Sequence, residues 1–119
     1  MTLHDRLEGV VRSVYGALAV SLVAKDGMPV DSVWNTSDPQ LEVVAAEMLA
    51  QIQFITESGD NLAKGPVRLL SVSTNQYTIL LSAISADYYL LLVLNPTANY
   101  GQARFEMRRA GLRFSEDIQ

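Results

Sequence analysis

The chain has no cysteine, a single histidine and fewer basic than acidic residues. Without cysteine there is no disulfide and no thiolate to serve as nucleophile or metal ligand. One histidine, His4, is too little for a transition-metal site. It falls in the first turn of a helix, where it reads as a solvated polar residue rather than a catalytic base. A formal charge of −4 and a pI near 4.8 disfavour general nucleic-acid binding, which needs a strongly basic surface. No run approaches the ~18 consecutive apolar residues of a membrane span. Residues 1–12 carry Asp5 and Glu8 and show no apolar signal core, so the expected compartment is the cytoplasm. There is no G-x-S-x-G elbow and no H-E-x-x-H pair. Gly59-Asp60-Asn61-Leu62-Ala63-Lys64-Gly65 is not a phosphate loop, because Lys precedes Gly, Pro66 follows, and the segment runs from helix to strand. The expectation is a protein with no catalytic residues, no cofactor and no metal, which neither binds nor hydrolyses GTP or ATP by itself.

What is present is apolar pattern. Hydrophobic residues make up 49% of the chain and charged ones 18%, the balance of an ordered domain, here one domain over 1–119. Thr2 with Asp5 resembles a capping box opening a helix over 3–15, with Leu3, Leu7, Val10, Val11 and Val14 as its stripe and Gly16 as its cap. Residues 17–24 read as a strand covered on both sides, with Leu18, Val20, Leu22 and Ala24 on one face and Ala17, Ala19 and Val23 on the other. Asp26-Gly27 turns the chain into a second, edge-like strand over 30–34. Asp38-Pro39 opens a helix over 39–58. Strands over 67–73, 77–84 and 88–94 are joined by turns too short for parallel crossovers, so they form an antiparallel meander. Asn99 caps a last helix over 100–117, with Tyr100, Ala103, Met107, Ala110 and Phe114 facing inward. The order α-β-β-α-β-β-β-α predicts an α+β fold, a five-stranded antiparallel sheet with helices on both faces.

The helix over 39–58 is apolar on two opposite sides. Leu41, Val44, Ala45, Met48, Ile52 and Ile55 form one stripe, and Val43, Ala46, Ala50 and Phe54 lie opposite. Its own sheet needs only the first stripe. The second meets either the last helix or another protein. The other two helices each carry one good stripe suited to the opposite sheet face, which favours contact between molecules. Glu42, Ala46, Glu47, Ala50, Gln53, Phe54 and Glu57 are therefore the candidate partner-binding residues. The strand over 67–73 has Arg68 as its only charge, weak protection for an edge. Val43, Val67, Arg68, Leu69, Leu70, Ser71 and Val72 are the candidate dimer interface, and a proline at Leu70 is expected to shift the chain toward monomer. Arg104, Arg108, Arg109 and Arg113 form a basic run on the last helix, read as a solvated face or as a surface for an acidic partner or headgroup.

Several short signatures, in order, resemble the roadblock / dynein light-chain family. They are Gly16-Ala17-Leu18-Ala19, Asp26-Gly27, Ala45-Ala46, Lys64-Gly65, Asn99-Tyr100-Gly101-Gln102-Ala103-Arg104 and Met107-Arg108-Arg109. The likeness spans roughly residues 3–113. It implies a homodimer joined sheet edge to sheet edge, with the two central helices side by side. It also implies a regulator or scaffold for a small Ras-like GTPase. Bacterial members of the MglB type act on an MglA-type GTPase in cell polarity and gliding motility, and members differ in whether they stimulate GTP hydrolysis. Eukaryotic members serve in dynein or in lysosomal signalling scaffolds. The absence of an extension past the last helix is read as a bare, bacterial module. Two other readings stay open: an adaptor binding another roadblock protein, and a small-molecule sensor. The sensor needs a polar-lined internal pocket, which the leucine-rich sheet faces disfavour.

Overall fold

The computed structural model describes residues 2–24, 26–35, 43, 46, 47, 50, 68–85 and 87–118. Thr2 starts the N-terminal helix, Leu3–Ser13, through a reciprocal capping box. The Asp5 N–H donates to the Thr2 hydroxyl, and the Thr2 N–H donates to the Asp5 carboxylate, each at 3.1 Å. The backbone N–H of Thr2, and then its hydroxyl, hold the Asp5 carboxyl below its ordinary value. The helix ends at Ser13, two residues short of the expected bound, because Val14 is already extended. Gly16 is therefore not a helix cap but the turn into the first strand. Its φ is +84°, and a Cβ there would lie 2.7 Å from the Cβ of Ala98. Both the left-handed backbone and the close approach of the 98 region require glycine.

Five strands follow: β1 (Ala17–Ala24), β2 (Pro29–Trp34), β3 (Leu69–Ser73), β4 (Thr78–Ala83) and β5 (Tyr88–Leu94). They form one antiparallel sheet in the order β2-β1-β5-β4-β3. The β1–β2 hairpin closes where the Ala24 N–H donates to the Met28 carbonyl at 2.8 Å, with Gly27 at φ +92°. Asp26 completes the turn by accepting from the Met28 N–H. The expected pattern of β1 is wrong at its start. Ala17 packs with Val20 and Leu22 on one face, while Leu18 packs with Ala19 and Val23 on the other. A bulge between Ala17 and Ala19, against β5, breaks the alternation there.

The C-terminal helix, Tyr100–Ile118, begins where Asn99 accepts from the Gln102 N–H at 2.9 Å. It lies beside the N-terminal helix on one face of the sheet. Leu7, Val10 and Val11 of one and Ala103, Met107, Ala110 and Phe114 of the other meet Val20, Leu22, Leu80, Leu90 and Leu92 in one core. Tyr100 does not join it. Its ring is 40% exposed, with the Arg104 guanidinium 5.9 Å from its centroid. On the opposite face Val23, Ile79, Leu81, Leu91 and Val93 are also buried, in a second cluster. Two-sided burial of β1, β4 and β5 is what makes their sequences nearly continuous apolar runs.

Candidate functional site

The central helical segment is described at four positions. Val43, Ala46, Glu47 and Ala50 are helical and exposed, Val43 at 58%. Their spacing of three, one and three residues puts them along one side of the helix. That side is the second apolar stripe, and the N- and C-terminal helices spend their own apolar stripes on the core they share with the sheet. Small residues at Ala46 and Ala50 flanking Glu47 form a surface that another helix can approach closely. Glu42, Gln53, Phe54 and Glu57, and the opposite stripe from Leu41 to Ile55, lie outside the described residues.

Among the described residues β3 is an edge strand, hydrogen-bonded only to β4. Four of its five residues are exposed, and Leu70 alone turns into the second core. Its free side can be identified from the ladder. The Ala83 N–H donates to the Arg68 carbonyl at 2.8 Å, and the Thr74 N–H donates to the Tyr77 carbonyl at 2.7 Å. With the register Leu69↔Ser82 through Ser73↔Thr78, hydrogen-bonded pairs therefore fall at the even residues. Leu70 and Val72 bond inward to β4. Leu69, Ser71 and Ser73 point their N–H and C=O groups outward, away from the sheet. Proline at Leu70 would thus break the β3–β4 ladder rather than the open edge, which corrects the sequence-based expectation. Arg68, Leu69, Leu70, Ser71 and Val72 share this edge; Val67 lies outside the described residues. The second free edge, β2, begins at Pro29 and carries Asp31, both of which protect it from pairing.

The arginine run does not form one face. Arg109 and Arg113 turn toward the N-terminal helix, where with Asp5, Arg6 and Glu106 they border a cleft of about 160 Å³, and Arg109 pairs with Glu106 at 3.8 Å. Arg104 and Arg108 turn the other way, toward β3. There they line a groove of about 760 Å³ with Arg68, Leu69, Ile84, Phe105 and Leu112. Sequence patterning missed this groove. Its signal was the pair Phe105 and Leu112, two turns apart on the side of the helix away from the core stripe.

His4 is more tied than its position suggested. Its Nδ1 lies 3.1 Å from Asp31 Oδ2 on β2, and its Nε2 lies 3.5 Å from Glu8 Oε1. This fastens the first helical turn to the hairpin. Among the described residues no group of three or more His, Asp or Glu is placed to hold a metal, and no helix is long and apolar enough to cross a membrane.

The element order, the five-stranded antiparallel sheet and the two helices on one face define a roadblock fold. No family model and no characterised protein sequence matches the chain. Solved structures do. MglC from Myxococcus xanthus superposes with a TM-score of 0.78 and 29% identity, over 99% of this chain and 100% of that one. A Roadblock/LC7 domain from Streptomyces avermitilis gives 0.80 and 18%, over 99% and 98%. The gliding protein MglB from Thermus thermophilus gives 0.77 and 17%, over 94% and 84%. The chain has the fold of the roadblock/MglB-like proteins.

Proposed function

We propose that the chain is a non-enzymatic homodimeric regulator or scaffold for a Ras-like, MglA-type GTPase in cell polarity or motility. Two copies join through the open edge of β3. Their central helices then lie side by side as one platform, on which the GTPase docks in its triphosphate state. The observation that carries this reading is the pairing of an unprotected sheet edge with an exposed, small-residue helical side at Val43, Ala46, Glu47 and Ala50. The structural likeness to MglB supports the same role. Since no arginine stands among those four, any faster GTP hydrolysis arises from reordering of the GTPase's own switch segments.

A second reading is an adaptor that binds another roadblock protein rather than a GTPase. The tetrameric arrangement of a structurally similar MglB supports association between roadblock domains. One experiment separates the two. The chain is titrated with an MglA-type GTPase loaded with a non-hydrolysable GTP analogue or with GDP, and separately with an MglB-type protein, using wild type and Ala50→Arg. The GTPase reading requires binding to the triphosphate form that Ala50→Arg weakens at least roughly tenfold, by adding bulk and an unpaired charge at a close approach. Binding to the roadblock protein alone selects the adaptor.

A further inference from the structure

The two terminal helices do not cover all of the sheet face they pack on. The N-terminal helix packs on β1 and β2, and the C-terminal helix on β4 and β5. β3 lies beyond them, with Leu69 40% exposed. The groove of about 760 Å³ is the space above β3, walled on one side by the C-terminal helix. Gly111 brings that helix down onto Ile84, just past the end of β4, where a Cβ would stand 3.1 Å from Ile84 Cγ2. Phe105 and Leu112, 62% and 67% exposed, form the outer lip. Neighbouring helices on a sheet sit about 8–10 Å apart axis to axis. A further helix packed against the C-terminal one therefore lands over β3.

The charge of the groove defines what that helix must carry. Arg68, Arg104 and Arg108 line it, and none of its described lining residues is acidic. Among the described residues none of the three lies within 4 Å of a carboxylate, although the protein as a whole is at −4. A positive groove with an apolar floor and lip, on an acidic protein, calls for negative charge and apolar side chains together. A flat lipid surface supplies both but cannot enter a concave groove; a helix can.

We propose that the groove between the C-terminal helix and β3 is a docking site for an acidic amphipathic helix of a partner protein, which lies over β3 as the third helix of that layer. This site is distinct from the platform and shares only Arg68 and Leu69 with the proposed dimer edge. Edge pairing uses backbone groups in the plane of the sheet, whereas the groove opens above it.

The test uses the full chain and a fluorescein-labelled peptide of about sixteen residues, long enough for four turns. Its leucines recur every three or four residues and its other positions are mostly glutamate. A control peptide carries lysine in place of glutamate. By fluorescence anisotropy, wild type is expected to bind the acidic peptide and to prefer it at least roughly tenfold over the basic one. Arg104→Glu with Arg108→Glu should invert that preference, and Phe105→Ser with Leu112→Ser should weaken both. All four residues are exposed, so the fold is preserved, and sedimentation of the same variants should show unchanged assembly. The proposal is overturned if the acidic peptide does not bind, if binding ignores the charge reversal, or if phosphatidylserine vesicles show the charge dependence that the peptide lacks. Loss of the dimer or of GTPase binding by Ala50→Arg leaves these readouts untouched, so the two ideas fail separately.

Discussion

The hydrogen-bond phase of β3 allows edge-to-edge dimerisation to be tested with two neighbouring prolines. Ser71 directs its N–H to the open side, and Leu70 directs its N–H to β4. Ser71→Pro deletes one of three outward donors per copy while leaving the β3–β4 ladder intact, the arrangement in which edge strands tolerate proline. Across a two-fold interface the loss doubles. Each bond contributes about 1 kcal/mol net, and each carbonyl left without its donor adds up to a similar amount. The interface should weaken by about 2–4 kcal/mol, roughly 30- to 700-fold in dimer dissociation constant. Leu70→Pro instead breaks the ladder and unseats a side chain packed in the second core, so it should lower the stability of each copy. Sedimentation equilibrium reads the first effect and urea unfolding the second. The reasoning is refuted if wild type is monomeric at tens of micromolar, or if Ser71→Pro dissociates no more readily than wild type.

Gly16→Ala should cost about 2–3 kcal/mol in urea unfolding, from the left-handed backbone and the 2.7 Å approach to Ala98 together. Phe114→Ala removes a fully buried ring from the core beneath both helices and should cost about 3–5 kcal/mol, a large part of a small domain's stability. The Asp5 carboxyl should titrate below its ordinary value in an NMR pH series. Because its folded value is depressed, its support of the helix start is complete above the ordinary carboxylate range and fades as pH falls through the folded value. Thr2→Ala removes the hydroxyl but keeps the backbone N–H, so it should raise that midpoint only part of the way.

The sheet and its helices were legible because their cores are periodic. The stripes Leu7–Val10–Val14 and Ala103–Met107–Ala110–Phe114 are those the structure buries, and Asn99 caps where it was expected to. Misassignments came where a long-range contact overrides local pattern. The bulge that swaps Ala17 and Leu18 is set by pairing with β5, of which β1 alone gives no sign. His4 looked solvated because Asp31, its partner, lies far along the chain and reaches it only once β2 is placed. Tyr100 is apolar in bulk and in phase with the core stripe, yet its place in the first turn leaves it at the rim, under Arg104. For the candidate site, edge position was readable from the order of elements. Which amides of β3 face outward was not, since that depends on register with β4.

The placement of β1 beside β5 has a kinetic meaning. The β1–β2 hairpin and the β3–β4–β5 meander are local and can each form within microseconds. The seam between them, Ala17–Ala24 against Tyr88–Leu94, joins residues roughly seventy positions apart, a closure that costs on the order of 4 kcal/mol in chain entropy. Until it zips, both β1 and the Tyr-Tyr-Leu-Leu-Leu-Val-Leu run of β5 are bare strand edges of high apolar content. The centre of the sheet is thus the last part to form and the most adhesive while it waits, so refolding yield should fall as protein concentration rises.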